Sequence, residues 1–276
     1  MYAAFHISGT YLLFLGLASV FAIAYPLVLA AVTHRRLGVR WKIFAYGALI
    51  FFLSQLISRI PAVAVIGALL SNWLKASQSH VIIWLIALAI SAGLFEEIGR
   101  YIGYTWLMGT QEKTWSTAIM YGLGHGGLES IALVGLSQLA TLANLVILSS
   151  QSLNTLPDNQ RALAMSQLAA IAAQPVWIPL LGAWERLWTI PLQVCFSVIV
   201  LQVFRRDIMH WLWIAVAAHA LVDGVAVILP QAIGPGQIRT FLVIEGIVAL
   251  FGIVAIWVIF RLRDDPLPRA RAGVAS

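Results

Sequence analysis

Seven apolar stretches, each near the ~20 residues that a helix needs to cross the ~30 Å hydrocarbon core, constrain this chain more than any other feature. They run approximately over 7–32, 44–69, 81–107, 117–149, 178–204, 211–229 and 238–260. In lipid, each such stretch must satisfy its own backbone hydrogen bonds, so helix is the expected state. The expected fold is therefore all-α: a polytopic bundle of about seven transmembrane helices. Composition agrees. Hydrophobic residues make up 61% of the chain, charged residues 10%, and mean hydropathy is +0.90. Soluble domains carry about 25% charged residues. The lone Cys195 sits in an apolar run and can form no internal disulfide. No basic region precedes the first apolar run, so a cleavable signal peptide is not expected.

The connections set an orientation. His34, Arg35, Arg36, Arg40 and Lys42 lie between spans one and two, Lys113 between three and four, and Arg205 and Arg206 between five and six. Arg261, Arg263, Arg269 and Arg271 follow span seven. The opposite loops hold little beyond Lys75, Arg161 and Arg239. The positive-inside rule then places the N-terminus outside and the C-terminus in the cytoplasm. The net charge of +6 is spent at span ends, and nucleic acid is not an expected partner. In the longest connection, 158–173 reads as an external helix between spans four and five, with Asp158 as its N-cap. We expect one integral membrane domain over 1–263, with a catalytic core at about 81–229, and a short cytoplasmic tail over 264–276.

Against this background, three spans each carry two ionisable residues one helical turn apart: Glu96 and Arg100, His125 and Glu129, His219 and Asp223. Charge inside a span costs roughly 2.5–3.5 kcal/mol per residue on insertion scales and usually faces a partner or a wet cavity. Residues at i and i+4 share a helix face. Counted at ~1.5 Å per residue, Glu96 lies ~22 Å into span three from outside. His125 and His219 lie ~12 Å, and Glu129 and Asp223 ~18 Å, into spans four and six from inside. All are expected to meet in the cytoplasmic half of the membrane. Gly122, Gly124, Gly126 and Gly127 surround His125; they let helices approach closely and leave room beside the imidazole.

The stretches FEEIGR (95–100), GHGGLE (124–129) and AHALVD (218–223) resemble the YhfC-type family of intramembrane proteases. That family sits within a group holding the CAAX prenyl endopeptidases, their bacteriocin-processing relatives, the PrsW-type proteases and the APH subunit of γ-secretase. CAAX-type enzymes have three residues between the paired glutamate and the arginine, and an asparagine one turn after the last histidine. Here two residues intervene and Asp223 takes the last position, so CAAX substrate specificity is not carried over. The resemblance implies a bacterial plasma membrane location. It also implies hydrolysis, near the cytoplasmic leaflet, of a peptide bond in a membrane-associated protein or peptide.

Mapped residue by residue, the resemblance makes Glu96 the base that activates water, paired with Glu97. His125 would hold the water, and His219 would donate to the oxyanion with Asp223 orienting its ring. Arg100 would pair with Glu97 or Glu129. The glutamate mechanism needs no cofactor. A metal version uses His125, Glu129, His219 and one of Glu96 or Asp223 to hold Zn²⁺. There is no H-E-x-x-H signature. Two other classes fit the same residues: a non-catalytic scaffold like the APH subunit, whose histidines stabilise a partner assembly, and a proton-coupled transporter, for which obvious inverted repeats are absent. Outside the core site, Glu185 and Arg186 read as an outer aromatic-belt anchor beside Trp184 and Trp188. Arg59 and Glu245 are placed to pair with each other or with Glu185.

Overall fold

The computed structural model describes residues 7–150, 157–234 and 236–263. Among them the chain is helical, with α1 (Gly9–Leu37), α2 (Trp41–Leu69), a short α3 (Ser71–Ala76), α4 (Gln78–Trp106), α5 (Trp115–Ser149), α6 (Asp158–Ala172), α7 (Leu180–Arg206), α8 (His210–Ile233) and α9 (Ile238–Arg261). Seven of these are long and apolar enough to cross a membrane, and they are the seven stretches expected from hydropathy. The expected tail over 264–276 lies outside the described residues. Large apolar side chains such as Leu69, Val65, Leu250 and Trp257 stand exposed. On a soluble protein they would form sticky patches; around a membrane bundle they are the lipid face.

Two spans contain a wider turn that hydropathy does not reveal. In α2, residues Phe52–Arg59 adopt π-helical bonding. Pro61 follows, and its ring displaces the carbonyl four residues back, so the helix absorbs the misfit by widening. Ser58 Oγ donates to Leu53 O at 2.7 Å within this turn. In α5 the π turn is Ser130–Gly135, beginning directly after Glu129.

The packing resolves into two units, Met1–Tyr25 with Glu129–Leu187, and Pro26–Leu128 with Trp188–Ser276. The first is built on Ile7, Tyr11, Leu15, Leu145 and Leu168. Helix α6 belongs to it and buries Leu168 there. Pro157, not Asp158, occupies the N-cap position of α6. Asp158 lies in the first turn, where its charge suits the helix dipole and pairs with Arg161 at 3.2 Å.

The second unit is assembled by close backbone approach. In α7 every residue from Leu192 to Val203 is buried. A Cβ on Gly122 would sit 2.6 Å from Val194 Cα, and one on Gly126 would sit 2.6 Å from Gln193 Cβ. A Cβ on Gly124 would collide with the Phe44 carbonyl of α2, and one on Gly127 would press on the Phe44 ring. The glycines around His125 are therefore filled on two sides by neighbouring helices; they admit α2 and α7 rather than leave space beside the ring. Helix α8 lies along α4 by the same device, since a Cβ on Gly93 would meet Val216 O at 2.6 Å. That contact draws His219 onto the glutamates of α4.

Candidate active site

All the central side chains lie in the second unit. Glu96, Glu97 and Arg100 come from α4, His125 from α5 and His219 from α8, and all five are buried. His125 Nε2 lies 2.9 Å from Glu96 Oε2. His219 Nδ1 lies 2.7 Å from Glu97 Oε1, and its Nε2 lies 3.8 Å from Glu96 Oε2. Each glutamate of the adjacent pair thus meets a histidine from a different span. Toward ionised carboxylates, which only accept, the facing ring nitrogens donate. His125 Nδ1 is buried with no hydrogen-bond partner. Nε2–H bonded to Glu96 leaves only a lone pair at Nδ1, which is cheaper to bury than an unmet N–H.

The rings are held by aromatics. Phe51 meets His125 edge-on with centroids 5.2 Å apart. Phe196 stacks on His219 at 4.7 Å, with the planes within 12°. Asp223 Oδ1 stands 3.8 Å from His219 Nε2 and is the most open group of the constellation, its side chain 38% exposed. It is placed one turn beyond the ring, as its spacing implied.

Arg100 is completely buried, and its contacts come mainly from a span that the ionisable pairs did not single out. One guanidinium nitrogen donates to Gln193 O at 2.7 Å and to Ser197 Oγ at 2.8 Å. The other donates to Gln193 Oε1 and lies 3.5 Å from Glu96 Oε2. Nε lies 3.3 Å from Glu97 Oε2. The Gln193 amide nitrogen in turn faces Glu96 Oε2 at 3.5 Å. Tyr104 donates to Ser197 O at 3.0 Å, and Tyr121 to Arg100 O at 3.3 Å. Gln193, Ser197, Tyr104 and Tyr121 were missed because they carry no formal charge. The available signal was Gln193 and Ser197, two polar residues one turn apart in an otherwise apolar stretch.

Glu129 finds a different cation. It belongs to the first unit, where Arg186 Nη1 reaches Glu129 Oε1 at 2.9 Å and Arg186 Nη2 also bonds Glu185. Of the two partners expected for Arg100, the one found is Glu97. Arg186 is buried and closes an ion triad, which is more than an interfacial anchor. Arg59 bonds Gln55 at 3.1 Å, Ser91 at 3.0 Å and Leu88 O at 2.7 Å, instead of an acid.

Among the described residues, the group able to hold a metal is Glu96, Glu97 and His219, whose ligating atoms all lie within 4.8 Å of one another. The expected set was His125, Glu129 and His219 with one of Glu96 or Asp223; the group found shares His219 and Glu96 with it and has Glu97 in place of His125 and Glu129. Two carboxylates and an imidazole form a hard to borderline O,O,N donor set of the kind that binds Zn²⁺. Asp223 stands beside His219, where a carboxylate would orient that ring if it held a metal. The residues present fit a divalent metal.

A multi-span helical membrane protein with paired buried glutamates, each facing a histidine from another span, is the class that fold and site define. The family model "YhfC intramembrane metalloprotease" matches residues 21–248, and the chain belongs to that family. It is 29% identical over 258 residues to a Bacillus subtilis (strain 168) protein described as "Uncharacterized membrane protein YhfC"; the match covers 92% of this chain and 97% of the relative. No solved structure matches the chain significantly. The protein is a multi-pass protein of a bacterial membrane.

Proposed function

We propose that the protein is an intramembrane endopeptidase, cutting a membrane-embedded protein or peptide near the cytoplasmic leaflet. The observation that carries this reading is the pairing of Glu96 with His125 and of Glu97 with His219, at 2.9 and 2.7 Å, inside a family described as metalloproteases. Hydrolysis needs a base for water, stabilisation of the oxyanion and a proton for the leaving amine. Glu96 accepts a proton as the water oxygen bonds to the peptide carbonyl carbon. His125 Nε2–H holds the Glu96 carboxylate in place for that transfer. His219, anchored through Nδ1 to Glu97, turns its other edge toward Glu96 and Asp223, where a donor to the oxyanion is required. As the C–N bond breaks, the proton on Glu96 passes to the amine nitrogen, leaving a carboxylate and an amine as products. In the metal alternative, a divalent ion held by Glu96, Glu97 and His219 would take over stabilisation of the oxyanion from the His219 N–H and would make the water more acidic.

The test is detergent-purified protein incubated with a pool of membrane-spanning peptides, read by mass spectrometry beside the Glu96→Ala variant. Fragments present with wild type and absent with Glu96→Ala are expected. Equal fragments from both proteins would remove Glu96 from the reaction. Chelation followed by Zn²⁺ readdition, in the same assay, tests the metal.

A further inference from the structure

Resting on that reading of the site, we propose that Gln193 is a positioning residue: it draws Arg100 away from Glu96 and leaves the Glu96 carboxylate available as ligand and base. An arginine one turn after a glutamate, both buried, has every reason to close on it. Charge-assisted N–H···O bonds of this kind settle near about 2.8 Å. Here the Arg100–Glu96 separation is 3.5 Å. The guanidinium nitrogen facing Glu96 gives its short bond to Gln193 Oε1 and reaches Glu96 Oε2 with a long one at 3.5 Å, while the second terminal nitrogen is taken by Gln193 O and Ser197 Oγ. Three of the acceptors around Arg100 thus come from one face of α7, and two of them from a single residue.

The amide polarity is determined by its neighbours. Oε1 must face the cation, which turns Nε2 toward Glu96 Oε2. A glutamine serves both sides, accepting from the arginine while donating weakly to the glutamate. Its stem is also wedged. A Cβ on Gly126 would fall 2.6 Å from Gln193 Cβ and 2.9 Å from Cγ, so α5 presents a hydrogen atom where any larger side chain would push the amide out. Residues next to His125 therefore fix the side chain that governs the other neighbour of Glu96.

The effect is to divide the labour of the two glutamates. Glu97 is held by His219 at 2.7 Å and by Arg100 Nε at 3.3 Å. Glu96 keeps His125 as its one short partner. Without Gln193 Oε1, Arg100 swings onto Glu96 and adds a short, charged bond to the oxygen that already faces His125, which makes the carboxylate a weaker ligand and base.

Two variants separate this role from packing. Gln193→Met keeps the length and volume and loses the acceptor. Gln193→Glu keeps the acceptor for Arg100. We expect Gln193→Met to retain its melting temperature in detergent within a few degrees, and to bind Zn²⁺ about tenfold or more weakly in competition with a chelator. Its Arg100–Glu96 distance in an experimental structure should shorten to about 2.8 Å. Gln193→Glu should recover most of the Zn²⁺ affinity. Unchanged Zn²⁺ affinity in Gln193→Met with the wild-type separation retained, or equal losses in both variants tracking their melting temperatures, would overturn the proposal. If wild-type protein itself binds no Zn²⁺, the metal reading fails, and the Arg100–Glu96 distance in Gln193→Met alone decides the role of Gln193.

Discussion

The two units each bury an arginine beside two glutamates, and they hold it in opposite ways. Arg186 bonds both of its carboxylates directly, Glu129 at 2.9 Å and Glu185 still closer. Arg100 gives its short bonds to the neutral acceptors Gln193 and Ser197, and stays 3.3 and 3.5 Å from Glu97 and Glu96. In the first unit a cation satisfies the carboxylates. In the second, two histidines hold the carboxylates through short bonds, and imidazole, unlike guanidinium, can exchange its protons. The same charged residue types thus make a closed ion triad in one place and a histidine-paired cluster in the other.

The contrast is broken most severely at Glu96. Glu96→Gln removes the proposed base while keeping the shape, and turnover should fall about 10³-fold or more, with the protein still folded. A peptide-cleavage assay beside a melting curve checks both parts. In the other unit the signs reverse. Arg186→Met leaves Glu129 and Glu185 without their shared cation and should destabilise the protein by about 3 kcal/mol. The folded fraction should keep its turnover within about threefold. Loss of turnover without loss of stability in Arg186→Met would erase the distinction drawn here.

Glycine substitutions sharpen the comparison at smaller cost. Gly124→Ala drives a methyl group into the Phe44 carbonyl, and the backbone must shift at a cost of about 1–3 kcal/mol. Gly16→Ala in the first unit meets only Leu142 Cδ2 at 3.6 Å, an ordinary contact. There the gain in helix propensity should leave stability unchanged or raised by up to about 1 kcal/mol. Thermal unfolding of the two variants measures both. On activity, a smaller effect than that of Glu96→Gln is expected at Asp223, which stands 3.8 Å from His219 Nε2. Asp223→Asn should reduce turnover and Zn²⁺ affinity about tenfold, as for other carboxylates that orient a ligating histidine.

Much of this was legible in the chain itself. Hydropathy located all seven spans, because a membrane helix declares its length in apolar residues. The cost of buried charge marked Glu96, Arg100, His125, His219 and Asp223, and turn spacing put them on common faces. The same logic also gathered in Glu129, since spacing along α5 cannot say which neighbour a carboxylate will find. Arg186 is its partner, 57 residues away along the chain. Gln193 and Ser197 were hidden because a neutral amide or hydroxyl raises no hydropathy alarm. The glycines beside His125 were visible, but their purpose was not: a missing side chain looks the same whether a substrate or a neighbouring helix fills the gap. The π turns left no trace, since bonding to the fifth residue has no composition of its own, although Pro61 hinted at the one in α2.

The central claim is that Glu96, paired with His125, delivers water to a peptide bond. The most direct measurement is cleavage of membrane-spanning peptides in ¹⁸O-labelled water by wild-type and Glu96→Gln proteins, with the new C-termini read by mass spectrometry. Fragments carrying one ¹⁸O are expected from wild type and none from Glu96→Gln. Labelled fragments from Glu96→Gln at the wild-type rate, or no fragments from wild type with any peptide, would contradict it.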